Sequence, residues 1–211
     1  MYIPEHFRVG DDQTAIAFMR ANPFAILISH TDEGPFATHL PLVIHQNGER
    51  VVLRGHVAKA NPHWQYLESQ PQALVIFHGP HSYVSPSNYV THENVPTWNY
   101  GAVHAYGEAR VLSEPGQLLP ILHDLIGTFE ARYAGQWAEL NEAYRQRMLS
   151  HIVGFEIAVT KIEAKFKLSQ NRTKPEQENV IAALSASDDT AISGTAQLMR
   201  ELGLGMKKDR E

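Results

Sequence analysis

Apolar stretches with strand-like alternation, separated by turn residues, predict a chain built mainly from β-strands. The predicted strands cover residues 24–30, 36–45, 51–58, 73–77, 98–112 and 153–166. The segments Asp32-Glu33-Gly34-Pro35 and Asn47-Gly48 between them are typical of tight hairpin turns. Six strands in this consecutive order predict a small closed antiparallel β-barrel with peripheral helices, an α+β protein that is mainly β.

Helical spacing of apolar residues predicts helices beside these strands. They are expected at residues 11–21, 61–69, 113–129 and 139–150, and as two short helices within 175–204 that are separated by residues 185–189. A long irregular segment is expected from residue 79 to 96, and loops of that length are usually functional or mobile. Gly101 and Gly107 are expected to permit bends or bulges in their strand.

Pro41 lies inside the second predicted strand. Because proline has no N–H to donate, it marks a sheet edge, a bulge or a place where a ligand replaces the neighbouring strand.

The third strand ends in a basic turn that leads into a helix. Arg54, His56 and Lys59 precede Asn61-Pro62, which predicts an N-cap followed by proline at the first helical position. Side-chain cations at the positive end of a helix can form an anion pocket. The alternative is an ordinary strand-to-helix turn with solvated basic residues, and the spacing does not separate the two.

Composition narrows the classes of function. The 211 residues are 43% hydrophobic and 19% charged, which predicts a soluble globular protein of one domain, with or without a tail. The net charge of −5 provides no general attraction to nucleic acid. Because there is no cysteine, thiol chemistry is excluded and any redox reaction needs a bound cofactor. With no signal-peptide pattern at residues 1–7 and no membrane-length apolar run, a cytoplasmic location is expected.

Twelve histidines raise the question of a metal site. His78 and His81 are three residues apart, but no HExxH pattern or comparable ligand set occurs. A zinc site needs three or four oriented ligands. We therefore interpret the histidines as core or pocket residues and predict no metal.

Four segments together resemble the PaiB family, whose members are described as FMN-binding negative transcriptional regulators. They are Tyr2-Ile3-Pro4 with Phe7, Ala37-Thr38-His39-Leu40-Pro41-Leu42, Arg54-Gly55-His56-Val57-Ala58-Lys59-Ala60-Asn61-Pro62, and Lys167-Leu168-Ser169-Gln170-Asn171-Arg172. The family is part of the flavin split-barrel superfamily, which includes pyridoxamine 5′-phosphate oxidase. The resemblance spans nearly the whole chain.

The resemblance implies a six-stranded split β-barrel that forms a homodimer, with FMN in a groove at the subunit interface. It implies a flavin-binding domain over residues 1–170 and a helical extension over 171–211, packed on the barrel or on the partner subunit. Site residues are carried over by position. The strand Thr38, His39, Leu40 and Pro41 would follow the flavin ring, Arg54, Gly55, His56 and Lys59 would hold the ribityl phosphate with Asn61 at the helix start, and Trp98 and Asn99 would face the flavin from the other subunit.

Two features depart from the resemblance. No set of basic residues matches those with which the oxidases hold a substrate phosphate. No helix-turn-helix is evident, and the C-terminal region has nearly balanced charge, with Arg200, Lys207, Lys208 and Arg210 among numerous acidic residues.

Ser169, Gln170 and Asn171 are typical of the family, and we interpret them as capping residues, with Asn171 or Thr173 starting the next helix.

Three functions remain open, and no catalytic residue is assigned. The first is a flavin-binding regulator that affects gene expression, with DNA as an open partner. The second is an FMN-dependent oxidoreductase acting on a small molecule, with stacking and proton transfer supplied by His78, His81, Tyr83, Tyr89, His92, Trp98 and Tyr100. Those residues are equally typical of a dimer interface. The third is haem binding, since some split-barrel proteins degrade haem.

Overall fold

The computed structural model describes residues 1–205. The remaining residues, including Lys207, Lys208 and Arg210 of the predicted charge-balanced tail, lie outside the described part. Seven strands form one sheet in the order β2-β1-β5-β6-β7-β4-β3. The strands are β1 (Phe24–Thr31), β2 (Gly34–Pro41), β3 (Val43–Asn47), β4 (Arg50–Ala58), β5 (Gln72–Val84), β6 (Thr97–Leu112) and β7 (Ile152–Lys167).

Seven α-helices accompany the sheet within the described residues. They are α1 (Asp12–Ala21), α2 (His63–Ser69), α3 (Pro115–Phe129), α4 (Tyr133–Glu139), α5 (Glu142–Leu149), α6 (Lys174–Ser185) and α7 (Thr190–Glu201). The predicted helices near 11–21 and 113–129 and the C-terminal pair are confirmed. None of the helices in residues 1–205 is long and apolar enough to cross a membrane.

The predicted count of six strands is wrong because the segment 36–45 divides at Leu42. Up to Pro41 the chain pairs with β1, and from Val43 it pairs with β4. Proline has no N–H for a ladder, and the N–H of Leu42 donates instead to the carbonyl of Pro23 at 3.0 Å. Strands β2 and β3 therefore become the two edges of the sheet. Closure of the predicted barrel is not confirmed, since the described strands include no β2–β3 pair.

Strand β5 is longer than predicted and replaces part of the expected loop. It continues through Gly79 and Pro80 to Val84, so irregular chain begins only at Ser85. Strand β1 pairs with β5 only at Ala73–Ile76. A proline at position 80 therefore interrupts no bond of the β1–β5 ladder.

Two helix boundaries also differ from the prediction. The region 139–150 contains the end of α4 and a separate α5, because the Asn141 side chain accepts the backbone N–H groups of Ala143 and Tyr144 and starts a new helix. Helix α2 begins at His63 rather than directly after Asn61. The Asn61 side chain accepts the His63 backbone N–H at 3.0 Å.

The chain divides into two compact units. Among the described residues, the first contains Met1–Thr14, His78–Val103 and residues 164–205, and the second contains Ala15–Phe77 and His104–Glu163. Strands β5, β6 and β7 contribute residues to both. Helices α6 and α7 lie in the first unit together with the N-terminus. The division at residue 170 implied by the family resemblance stays a prediction.

Candidate functional site

Strand β4 directs two of the predicted phosphate residues away from the core. Leu53, Gly55 and Val57 are buried, whereas Arg54 and His56 occupy the alternate, partly exposed positions. A Cβ atom at Gly55 would lie 2.6 Å from Leu42 Cδ2 and 3.4 Å from the Pro41 carbonyl oxygen. Gly55 therefore permits close packing of the chain at the β2–β3 junction.

Arg54 is held by two carboxylates of the second unit. Its Nε and Nη2 lie 2.7 Å from Glu156 Oε1, and its Nη1 lies 2.8 Å from Asp124 Oδ2. Glu156 also accepts from Arg110 at 2.8 Å. Burial by itself would raise the pKa of Glu156, but the hydrogen bonds and charges of Arg110 and Arg54 outweigh it and lower that pKa. Sequence analysis did not identify these partners of Arg54.

We expect Arg54→Met to lower the free energy of unfolding by about 2 kcal/mol, between the effects of exposed and buried ion pairs. The physical reason is that the substitution removes the guanidinium from Glu156 and, within residues 1–205, leaves Asp124 with only the His45 ring, whose Nε2 lies 2.9 Å from its Oδ2. Urea unfolding measures the loss. Arg50→Met, at an exposed position of the same strand, is the control, and equal stability of the two variants would contradict a structural role for Arg54.

Lys59 and His56 are available for a ligand. Lys59 is exposed after the end of β4, and no side-chain partner is seen for it among residues 1–205. His56 Nδ1 is buried without a hydrogen-bond partner in the same range. Burial lowers the pKa of His56, so the imidazole is neutral at pH 7 and has one N–H to donate. An ammonium and an imidazole three residues apart can both contact an oxyanion.

In the predicted flavin strand, residues 38–41, more buried and more exposed side chains alternate as they do in β4. Thr38 and Leu40 face inward, and His39 and Pro41 are exposed. Because β2 is a sheet edge, one side of its backbone pairs with no strand among the described residues. That arrangement suits a strand expected to meet a ligand with its peptide groups.

Thr38 and Asn61 meet in a buried polar cluster around a histidine that sequence analysis missed. His63 is 0% exposed, and its Nδ1 and Nε2 lie 2.8 Å from Thr38 Oγ1 and 3.0 Å from Ser29 Oγ. The Asn61 amide donates to Thr38 Oγ1 at 3.2 Å. Burial lowers the pKa of His63 to about 4. The sequence signal that could have indicated the burial of His63 is its spacing of four residues from Leu67, which places both side chains on the same face of α2.

In the first unit, the structure brings part of the aromatic and histidine-rich set together. The His81 ring stacks on Trp98 with centroids 5.7 Å apart, Tyr83 approaches Trp98 edge-on at 6.2 Å, and His78 lies 4.9 Å from His81. Burial, followed by the nearby His81, lowers the pKa of His78. Tyr89 instead packs under the Arg172 guanidinium at 3.8 Å.

A cavity of about 460 Å³ adjoins this aromatic group. His81, Ser82, Tyr83 and Trp98 line it on one side, and residues of α6 and of the start of α7 line it on the other. His81 Nδ1 and Ser82 Oγ are buried without a hydrogen-bond partner within residues 1–205. In that same range, no group of three or more histidine, aspartate or glutamate side chains is arranged to hold a metal ion.

Asn99 and the segment after β7 are tied together inside the first unit. Asn99 is 1% exposed, and its amide donates to Ser169 Oγ at 3.0 Å. Ser169 adopts φ 66°, a left-handed conformation that is uncommon for a residue with a side chain. The Gln170 side chain accepts the backbone N–H of Leu168 and donates to the carbonyl of Phe166. The predicted flavin contact of Asn99 stays a prediction.

The predicted capping role is confirmed at Thr173 rather than at Asn171. Thr173 is the N-cap of α6, and its backbone N–H donates to the Glu176 carboxylate at 3.1 Å. Asn171 is exposed.

Comparison with known proteins places the chain in a family. Residues 1–161 match the sequence family described as "Putative FMN-binding domain". The chain is also 37% identical over 203 residues to "Protease synthase and sporulation protein PAI 2" of Bacillus subtilis, covering 95% of this chain and 97% of that protein. The chain belongs to this FMN-binding-domain family. The resemblance to PaiB that the four motifs indicated is thereby confirmed.

Solved structures agree with this family at the level of fold. The flavocytochrome Anf3 from Azotobacter vinelandii has a TM-score of 0.57 at 18% identity, covering 78% of this chain and 72% of that one. The FAD and haem binding protein from Mycobacterium smegmatis has a TM-score of 0.51 at 17% identity, covering 76% and 73%. At these identities the likeness concerns the fold alone.

Proposed function

We propose that this protein binds FMN, with the phosphate at the end of β4. The observation that carries the proposal is the match of residues 1–161 to the FMN-binding-domain family. The local chemistry fits this cofactor, because Lys59 offers an exposed ammonium and His56 offers a buried ring nitrogen that no other described residue bonds. Arg54, held by Asp124 and Glu156, would support the strand and add positive potential.

The other chain elements would orient the flavin. The free edge of β2 would present peptide groups to the ring system. A bound flavin supplies two-electron transfer, which no side chain of this cysteine-free protein can provide.

We also propose a homodimer, supported by exposed Phe24 beside Ile26 and Ile28 on the outer face of β1. Sedimentation equilibrium tests this by counting the chains in each particle.

We further propose that the flavin acts in the oxidation or reduction of a small molecule. The cavity beside Trp98, in which His81 Nδ1 and Ser82 Oγ have no hydrogen-bond partner among residues 1–205, offers space and polar groups for a small molecule. The charge of the C-terminal helices does not favour sequence-specific DNA binding. Residues 174–201 contain two basic and five acidic side chains, a net charge of −3. A recognition helix needs cations that reach phosphates and base edges.

Titration with FMN, followed by the visible absorption of the flavin, tests the cofactor. We expect saturable binding that Lys59→Ala weakens about ten- to hundredfold, since a charged hydrogen bond contributes about 1.5–3 kcal/mol. Lys161→Ala, at an exposed lysine paired with Glu163, is the matched control. Absence of flavin binding by the wild type would overturn the proposal, and a Soret band in its place would favour haem. Unchanged affinity of Lys59→Ala would overturn only the phosphate assignment.

The flavin-loaded protein separates the two remaining functions. Bleaching of the flavin band by NADH or NADPH, and its return when an acceptor is added, would support an oxidoreductase. A flavin that these reductants leave oxidised, together with tight binding to a defined DNA fragment, would favour the regulator.

A further inference from the structure

A cavity of about 530 Å³ lies among the three helices that connect β6 to β7. Its walls come from one face of α3, one face of α4 and a side chain of α5. All three helices belong to the second unit. The volume is within the range of sites that bind small molecules.

Small side chains leave this cavity open. Gly127 of α3 lines it, and a Cβ atom added at Gly127 would meet nothing within 4 Å. Helix residues three or four positions apart share a face, so Ala134, Trp137 and Ala138 present one side of α4 to the cavity. None of these residues belongs to the proposed FMN site.

Trp137 contributes a buried hydrogen-bond donor to the cavity wall. The residue is 9% exposed, and its indole Nε1 is buried with no hydrogen-bond partner among residues 1–205. An indole N–H can only donate, and nearly all buried polar groups of folded proteins are paired. The described chain supplies no acceptor for this N–H, although its side chain lines a space large enough for a ligand.

Arg145 adds a second donor and a positive charge. Its Nη2 pairs with Glu142 at 2.5 Å, whereas its Nε is buried without a partner in the same part of the chain. The Glu142 side chain is 65% exposed, so water screens that pair. No aspartate or glutamate is among the described residues that line the cavity. Because a guanidinium is always charged and suits carboxylate geometry, the cavity favours an anion.

We propose that this cavity binds a small, mainly apolar carboxylic acid whose carboxylate accepts the N–H groups of Trp137 and Arg145. One guanidinium and one indole match a singly charged group, whereas a phosphate dianion would need further cations. Apart from exposed His123, the rest of the lining is apolar and suits a hydrocarbon body. The site shares no residue with the proposed flavin site, so it does not depend on FMN.

Calorimetric titration of the full chain with phenylacetate and with hexanoate tests the site, each compared with its neutral amide, phenylacetamide or hexanamide. We expect at least one carboxylate to bind saturably and about tenfold or more tighter than its amide. Arg145→Met should weaken that carboxylate by a similar factor and remove its advantage over the amide. Trp137→Phe, which keeps an aromatic ring but has no N–H, should weaken the carboxylate as well.

Two further variants separate the cavity from its donors. Ala134→Leu should abolish binding because it fills the space while both donors remain, and leucine is a good helix former. Arg147→Met is the matched control for Arg145→Met. It removes an exposed arginine of the same helix, whose guanidinium packs on the Tyr144 ring at 5.2 Å and does not line the cavity. Its probe affinity should equal that of the wild type, and far-UV circular dichroism verifies that each variant is folded.

Three results would overturn the proposal. They are absence of saturable carboxylate binding by the wild type, equal binding of acid and amide, and binding that the Arg145, Trp137 and Ala134 variants all leave unchanged. A merely structural role of Arg145 predicts that Arg145→Met weakens acid and amide equally, which would also contradict the site. The titration requires no flavin, so failure of the protein to bind FMN would leave it valid.

Discussion

Acidification from pH 6.5 to about 4 is expected to remove roughly 3 kcal/mol of stability through His63 alone, at 1.36 kcal/mol per unit of pKa difference. Burial lowers the pKa of His63 in the folded protein to about 4, whereas the unfolded chain has the ordinary value of 6.5. The unfolded state therefore binds the proton first. The stabilisation is complete above pH 6.5 and is lost as the pH falls toward the folded value.

The cause is the environment of the ring. Phe36 packs edge-on against His63 at 5.2 Å, and both ring nitrogens already face hydroxyl groups. A neutral imidazole satisfies these neighbours with one N–H and one acceptor. An imidazolium would be a buried charge with no carboxylate contact among the described residues.

Urea unfolding of the wild type and of His63→Gln at several pH values isolates this effect. Burial also lowers the pKa values of His56, His78 and His104, so the whole protein loses further stability in acid. Their contribution is the same in both proteins and cancels in the difference. The wild type should be the more stable at pH 7, and its advantage should shrink by roughly 3 kcal/mol toward pH 4. An advantage that stays constant with pH would contradict a lowered pKa of His63.

Gly107→Ala is expected to destabilise the protein by about 3 kcal/mol or more, at or beyond the upper end of ordinary overpacking. A Cβ atom at this position of β6 would lie 2.4 Å from the Ala158 carbonyl oxygen and 2.7 Å from Ile157 Cγ2. The nearest atom belongs to the backbone of β7, so no side-chain rotation relieves the clash. Strands β6 and β7 would have to separate locally.

Gly127→Ala provides the matched control for that substitution. A Cβ atom at Gly127 in α3 has nothing within 4 Å, and alanine favours a helix over glycine by up to about 1 kcal/mol. Thermal unfolding should therefore show a lower midpoint for Gly107→Ala and an equal or higher one for Gly127→Ala. Equal midpoints would show that β6 accommodates the extra methyl group.

Features set by neighbours in the chain were predictable. The apolar alternation indicated β1, β4, β6 and β7, and the spacing around residues 185–189 separated α6 from α7. The motif from Arg54 to Pro62 indicated both the family and the location of Lys59 at the end of a strand. Pro41 was recognised as an interruption, although the pattern did not show that the chain changes partner strand there.

Features set by distant parts of the chain were not predictable. Arg54 pairs with two carboxylates that lie 70 and 102 positions away in the sequence. The local spacing therefore predicted a cation free to bind a phosphate, whereas the fold pairs it with Asp124 and Glu156. Nothing in the sequence around Lys165 distinguishes it from a surface lysine. The fold places it beside Tyr2 and Tyr100. Gly107 suggested a bend, whereas the close approach of β7 is what requires glycine.

The sequence by itself determined the type of most main elements, the turns of the first hairpins and the family to which the chain belongs. These follow from backbone geometry and side-chain spacing over a few residues. Only the tertiary structure decided the seventh strand, the partners of Arg54, the burial of His63 and the position of Lys165 beside Tyr2 and Tyr100. Burial and charge compensation depend on which distant residues pack together, and a linear pattern does not contain that information.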